Sequence, residues 1–248
     1  MKMLACDLDN TFIFRKVNPL CDYIPVEYNH GKPVMYISKK ALELFRTTDK
    51  CIEFVPVTAR SIEEFKRINI FAQKQPQYVI TSLGGVILKN GNIDAEWEKR
   101  REAIMRSVRK ILKEIFLKYK TKEYILRAMV VDESYLFIQS KCAENTASEI
   151  QSVYDESCLD ILSRKEKIYI VPKEINKESA VRRVRTELDA DVLVVAGDSD
   201  ADNGMLNIAD YALVPGQDMI ERLKPRYGAF TTHENDFASF IFNFTSKL

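Results

Sequence analysis

Lys2-Met3-Leu4-Ala5-Cys6-Asp7-Leu8-Asp9-Asn10-Thr11 is the stretch that decides the fold. Four apolar or small residues, Met3 to Cys6, run straight into two carboxylates spaced two apart, followed by Asn and Thr. A short apolar run ended by turn formers predicts a buried strand that stops where the acids begin. In an open parallel sheet, ligands bind beyond the carboxyl ends of the strands, so Asp7 and Asp9 are expected at that rim. Strand alternation alone sends the two side chains to opposite faces. A turn at the strand end allows both to approach one pocket. Capping of a turn is the competing reading of an isolated Asp-x-Asp.

A second stretch of the same design weakens that competitor. Val192-Leu193-Val194-Val195-Ala196 is an apolar strand, and Gly197-Asp198-Ser199-Asp200-Ala201-Asp202 follows it with three acids. Two strands that both deliver carboxylates at their C-terminal ends make a site for a hard cation such as Mg2+, which prefers oxygen ligands.

Four motifs now stand in an order that resembles the haloacid dehalogenase superfamily of phosphatases. Asp7-Leu8-Asp9-Asn10-Thr11 is similar to its first motif and Val55-Pro56-Val57-Thr58-Ala59-Arg60 to its second. Lys177 in Asn176-Lys177-Glu178-Ser179-Ala180 resembles the third, and Gly197 to Asp202 the fourth. Thr231-Thr232-His233-Glu234-Asn235-Asp236 also resembles a late family segment. The resemblance is to the Cof-type and sucrose-phosphate-phosphatase-like branch, with a C2-type cap domain between motifs two and three. The family has Asn-Gly where this chain has Leu83-Gly84.

The resemblance implies an α/β fold: a Rossmann-like doubly wound parallel sheet with an inserted α+β cap. The core is expected over residues 1–85 and 171–248 and the cap, C2B-like, over 86–170. It also implies a Mg2+-dependent phosphatase that hydrolyses a small organic phosphate monoester, such as a sugar phosphate, through an aspartyl phosphate. Asp7 is the implied nucleophile and Asp9 the general acid and base. Thr58 and Ala59 are implied to bind the phosphoryl group, with Lys177 adding positive charge. The implied Mg2+ ligands are the Asp7 side chain, the Asp9 backbone carbonyl and Asp198, with Asp202 direct or through water. Asp200 is expected outside that set. Two alternatives share the fold: a phosphosugar mutase or phosphotransferase, and a non-catalytic binding protein. The intact Asp7/Asp9 and Asp198/Asp202 pairs argue against the last.

Composition narrows the partners. The chain has 248 residues, 46% hydrophobic and 29% charged, with a net charge of +1, so no global field argues for nucleic acid or an anionic membrane. No apolar run approaches the ~20 residues that span a bilayer. No secretory leader is legible. Five cysteines without a Cys-x-x-Cys pair argue against a disulfide framework and a zinc site, so the expected setting is cytoplasmic. The expected partner is a small phosphorylated metabolite, and oligomeric state is not legible. His30 and His233 lie in loop-like contexts and carry no expected role.

The intervening sequence predicts the remaining elements. Residues 12–38 read as a long irregular connection with Pro19, Pro25, Gly31 and Pro33, the family's place for a short flap near the site. Ser38 caps a first helix, and Ser61 with Glu64 forms a capping box for a helix to about Ala72. Trp97 to Tyr119 predicts the longest helix, with Ile104, Val108, Ile111, Ile115 and Tyr119 on one stripe. Its other face is basic: Lys99, Arg100, Arg101, Arg106, Arg109 and neighbours. A solvated face explains these better than a phosphate- or RNA-steering surface, because acids are interspersed and the total charge is neutral. Two strands around Asp132-Glu133-Ser134, a helix from Cys142 to Asp155, and strands Leu159–Leu162 and Lys167–Val171 complete the expected cap.

Overall fold

In the computed structural model, the described residues are all but 16, 18–20, 49, 155–157 and 233–235. The chain opens with β1 (Lys2–Asp7), the hairpin β2 (Tyr23–Asn29) and β3 (Lys32–Ser38), α1 (Lys39–Thr47) and β4 (Ile52–Val57). Then come α2 (Ile62–Lys66), α3 (Ile70–Gln73), β5 (Tyr78–Thr81), a tight turn at Ser82–Gly84, β6 (Val86–Lys89) and β7 (Asn92–Ile93). A middle group follows: α4 (Ala95–Tyr119), β8 (Ile125–Val131), β9 (Tyr135–Ser140), α5 (Ala143–Val153), β10 (Leu159–Arg164) and β11 (Lys167–Pro172). The chain ends with α6 (Lys177–Leu188), β12 (Val192–Ala196), α7 (Asn203–Asn207), β13 (Tyr211–Leu213), α8 (Gln217–Ile220), β14 (Ala229–Phe230) and α9 (Phe237–Lys247).

The large sheet has the order β14-β13-β12-β1-β4-β5-β6-β7 and is parallel from β14 through β5. Both of its faces are covered, which is why β1 and β12 read as unbroken apolar runs. Leu4 and Cys6 of β1 join the core beneath α1, α3 and α9. Met3 and Ala5 join the opposite core, beneath α6 and α7. The chain builds outward from β1 to β4 and β5, then returns to β12 on the other side. The direction reverses beside β1, and the ends of β1, β4 and β12 border that crevice. The expected doubly wound α/β core is the fold observed.

The middle group forms an antiparallel sheet in the order β10-β11-β9-β8, with α4 and α5 on one face. The hairpin Val86–Ile93, placed by the sequence in the inserted unit, instead extends the large sheet. Tyr78 pairs with Lys89 and Thr81 with Val86, so β6 continues the ladder of β5.

Several local readings change. Residues 23–38 form a hairpin with a register shift beside Pro25 rather than an irregular connection. The helix expected from Ser61 to Ala72 breaks into α2 and α3. The α4 stripe consists of Trp97, Arg101, Met105, Val108, Leu112, Ile115 and Tyr119. Arg101, read as part of the basic face, is therefore buried, and donates to the Asp132 carbonyl and to Ser134 Oγ. The turn of the β10–β11 hairpin is Lys165-Glu166, two residues shorter than expected. Pro19, His233 and Asp155 lie outside the described residues, as does the middle of the late segment. Its end, Asp236, caps α9 by accepting from the Ser239 N–H at 3.1 Å. Among the described residues no helix is long and apolar enough to cross a membrane.

Gly84 fixes how the large sheet meets α6. Its φ is +94°, a conformation that costs glycine little. A Cβ there would lie 2.1 Å from the Asn176 carbonyl oxygen, at the start of α6. Gly31 also has a positive φ, +74°, but nothing stands within 4 Å of its added Cβ. Gly84→Ala is therefore expected to cost clearly more than the ~1 kcal/mol of backbone strain alone, and more than Gly31→Ala in urea unfolding. Equal losses for the two variants would contradict the close approach.

Candidate active site

Strand alternation places the first acid. Met3, Ala5 and Asp7 share the face of β1 that meets α6, so the Asp7 side chain emerges toward the first turn of that helix. The helix starts at Asn176, whose side chain accepts from the Ser179 N–H at 2.9 Å while Ser179 Oγ accepts from the Asn176 N–H. Lys177 follows as the first helical residue, with its side chain 4% exposed. Its Nζ donates to Asp7 Oδ1 at 2.6 Å and to Asp202 Oδ1 at 2.6 Å. One buried ammonium thus joins the acids of two different strands.

The Gly197 turn holds Asp202 from the other side. Asp202 Oδ2 accepts from the backbone N–H of Asp198 (3.2 Å) and Ser199 (3.0 Å) and from Ser199 Oγ (2.7 Å). A Cβ at Gly197 would lie 2.6 Å from Asp202 Cβ, so the turn needs glycine to close this tightly. Both Asp202 oxygens are therefore engaged. Asp198 keeps one oxygen, Oδ2, on Arg164 at 2.9 Å. Asp200 turns away from the cluster and pairs with Arg222 at 3.0 Å.

Carboxylate oxygens of Asp7, Asp198 and Asp202 lie within 4.8 Å of one another. Burial, with the neighbouring Asp202 and Asp198, pushes the Asp7 carboxyl well up despite Lys177. Burial also raises Asp198, against the pull of Arg164. Asp7 and Asp202 share the interior ammonium of Lys177 and Asp198 has the half-exposed Arg164, so three carboxylates meet two cations. The donor set is all oxygen, which fits a hard divalent cation and not a soft one. Asp9 stands outside this group by its side chain.

Arg60 has taken that side chain. Its Nε and Nη2 donate to the two Asp9 oxygens at 2.7 and 2.8 Å, a bidentate pair. Its Nη1 reaches Glu27 of β2 at 2.7 Å, and Arg67 Nε reaches the other Glu27 oxygen at 3.1 Å. Burial raises Asp9, but the Arg60 bonds and charge outweigh it and hold the carboxyl below its usual range. Thr58, at the end of β4, is buried, and its Oγ1 accepts from the Arg60 N–H at 3.2 Å, which leaves its own proton to donate. The Ala59 carbonyl accepts from Tyr135 Oη at 2.8 Å.

The four sequence motifs thus meet at the crevice, and Lys177 bridges the first and fourth. Sequence reasoning missed Arg60 as the partner of Asp9, Glu27 behind it, and Arg164. It also missed Asp132, whose Oδ2 accepts from Ser82 Oγ and from the Ile62 N–H (2.9 Å), tying the β8–β9 turn to the large-sheet unit. Arg60 had one signal, its place directly after Thr58-Ala59 in the second motif; Arg164 had none beyond its charge.

Removing one partner of a buried ion cluster leaves the others uncompensated, at about 3–5 kcal/mol. Lys177→Met is expected to lose stability of that order in denaturant unfolding without divalent metal, and to regain part of it when Mg2+ is added. A loss below about 1 kcal/mol would show that the ammonium does not hold the acids together.

The family model for sucrose-6F-phosphate phosphohydrolase matches residues 1–235. No curated protein sequence gives a match. Among solved structures, the sucrose-phosphatase from Synechocystis sp., determined with sucrose and phosphate, is similar over 99% of this chain and 97% of its own, with 12% identity and a TM-score of 0.65. A trehalose-6-phosphate phosphatase related protein is similar over 99% and 97%, with 16% identity and a TM-score of 0.60. A haloacid dehalogenase-like hydrolase from B. subtilis is similar over the whole of both chains, with 17% identity and a TM-score of 0.62. At such identities these structures speak for the fold, while the family match spans nearly the whole sequence. The chain belongs to the sucrose-6F-phosphate phosphohydrolase family, within the haloacid dehalogenase superfamily of phosphoric monoester hydrolases.

Proposed function

We propose that this protein is a Mg2+-dependent phosphatase of a small organic phosphate monoester, of the sugar-phosphate kind, working through an aspartyl phosphate on Asp7. The observation that carries this reading is Lys177 Nζ held at 2.6 Å from both Asp7 and Asp202 at the mouth of the doubly wound sheet. A carboxylate nucleophile facing an anionic ester needs local positive charge, and the family's sugar phosphatases supply the substrate class.

Asp7 attacks phosphorus with one carboxylate oxygen, and the ester P–O bond breaks to release the alcohol. Asp7, Asp198 and the Asp9 carbonyl would hold Mg2+, with Asp202 steadying the Gly197 turn and reaching the ion through water. Bound there, Mg2+ supplies Lewis-acid charge that offsets repulsion between the phosphate and the acids. Lys177 and the Thr58 hydroxyl, with the N–H groups of Ala59 and Arg60, neutralise the equatorial oxygens as charge develops.

Asp9 serves the leaving oxygen as acid and the attacking water as base. Its bidentate bond to Arg60 favours the ionised form and therefore suits the second half of the cycle. The first half needs a proton on Asp9. That requires Arg60 to slacken its hold and lean on Glu27, its second carboxylate. The antiparallel sheet with α4 and α5 acts as a cap over the crevice, and we place its start after Ile93, where the large sheet ends. Five cysteines with no Cys-x-x-Cys pair suit a reducing, cytoplasmic setting.

Phosphate release from p-nitrophenyl phosphate and sugar phosphates is expected with Mg2+, and its loss on chelation. Asp7→Asn should lose at least about a thousandfold in turnover with its circular dichroism unchanged. Wild-type turnover by that variant would overturn the nucleophile assignment.

A further inference from the structure

The β10–β11 hairpin turns one face toward the acids, and its tip is basic. Arg164 and Lys167 are direct partners across the two strands, so both side chains leave the same face. Like charges set opposite each other repel, and the arrangement needs an anion between or beside them. Arg164 has one: it reaches Asp198 at 2.9 Å, which fixes the tip above the carboxylate cluster. Lys167 is exposed and pairs with no carboxylate among the described residues.

Behind the two cations this face offers little to a polyol. Along β9 it carries Tyr135, Phe137 and Gln139, along β11 Lys167, Tyr169 and Val171, and along β10 Asp160, Leu162 and Arg164. The carboxylate among them, Asp160, lies opposite Val171, four residues from Arg164 at the tip. The single amide, Gln139, already donates to Glu166 at 3.0 Å. Tyr135 donates to the Ala59 carbonyl. Sugar hydroxyls are recognised by carboxylates and amides placed to share their protons, whereas a cation without a carboxylate partner, such as Lys167 among the described residues, recognises anions.

We propose that Arg164 and Lys167 form a second anion subsite, so that the alcohol released from the phosphate carries a carboxylate or phosphate of its own. This rests on the phosphatase reading above and narrows it. The transferring phosphoryl group sits at Asp7, Thr58 and Lys177, and the distal anion sits under the hairpin tip. Tyr169 lies between, packed among Leu83, Phe137 and Ala59 at the floor of the hairpin face. Burial, with Asp9 and Asp7 nearby, pushes its hydroxyl up to about 12, so it stays a neutral donor toward either group.

The test compares esters that differ only in the tail. 3-Phosphoglycerate is set against glycerol 3-phosphate, and fructose 1,6-bisphosphate against fructose 6-phosphate, with Mg2+ throughout and p-nitrophenyl phosphate as a reference. Wild-type kcat/KM is expected to favour the acid-tailed member of at least one pair by about tenfold or more. The first pair reports a carboxylate and the second a phosphate. Lys167→Gln, an exposed position, is expected to cut that ratio about tenfold, mainly through KM, with Lys167→Arg restoring it. Equal rates for both tails in both pairs, or a ratio untouched by Lys167→Gln, would overturn the subsite and leave the phosphatase reading standing. No release from any ester, p-nitrophenyl phosphate included, would remove the phosphatase reading and the subsite with it.

Discussion

A single ammonium group organises this site. Lys177 begins α6, a position where the helix's own partial charge is positive and a cation is out of place by that rule alone. It is tolerated because two carboxylates, Asp7 from β1 and Asp202 from the Gly197 turn, converge on it inside the protein. Those acids gain from the helix terminus as well as from the lysine. Everything else near the crevice answers to this contact. Gly84 lets the turn after β5 lie against the start of α6. Trp97 locks that turn through a bond from its Nε1 to the Gly84 carbonyl at 3.0 Å. Gly197 folds the fourth motif back over Asp202.

Around this centre two further charged groups connect separate parts of the chain. Arg60 joins the loop after β1 to the β2–β3 hairpin through Asp9 and Glu27, so the expected flap region and the candidate acid share one guanidinium. Arg164 joins the antiparallel sheet to the cluster through Asp198. The two sheets also touch at Asp132 and Tyr135, which bond to the starts of α2 and of the Thr58 loop. The charged groups of the crevice therefore meet only when elements from three places in the sequence are assembled together.

The parts of this arrangement that were legible in the sequence follow from its physics. β1 and β12 are buried on both faces, so they appear as unbroken apolar runs, and the acids that end them mark the rim. Lys177 and Thr58 were legible only through the order of the motifs, because neither residue announces its burial. Arg101 and Arg164 were hidden for a related reason: a sequence records their charge and not the carbonyl or carboxylate that each meets across tens of residues. Arg101 even falls on the apolar stripe of α4, where spacing alone argues for a core residue and charge alone for a surface one. The β2–β3 hairpin was obscured by Pro25, Gly31 and Pro33, residues that usually break strands and here sit beside a register shift, in the turn and near a strand end. The hairpin from residue 86 was hard to assign because β6 resembles the strands of either sheet. Only its pairing with β5 decides between them.

In the proposed reaction the Asp7 carboxylate takes the phosphoryl group from its ester. Rapid acid quench of the enzyme turning over with Mg2+, followed by mass spectrometry of its peptides, reads this directly. A transient addition of one phosphoryl group is expected on the peptide that contains Asp7, appearing before free phosphate and decaying with it. Phosphate release with no modified peptide at any quench time, or with the group on another side chain, would contradict it.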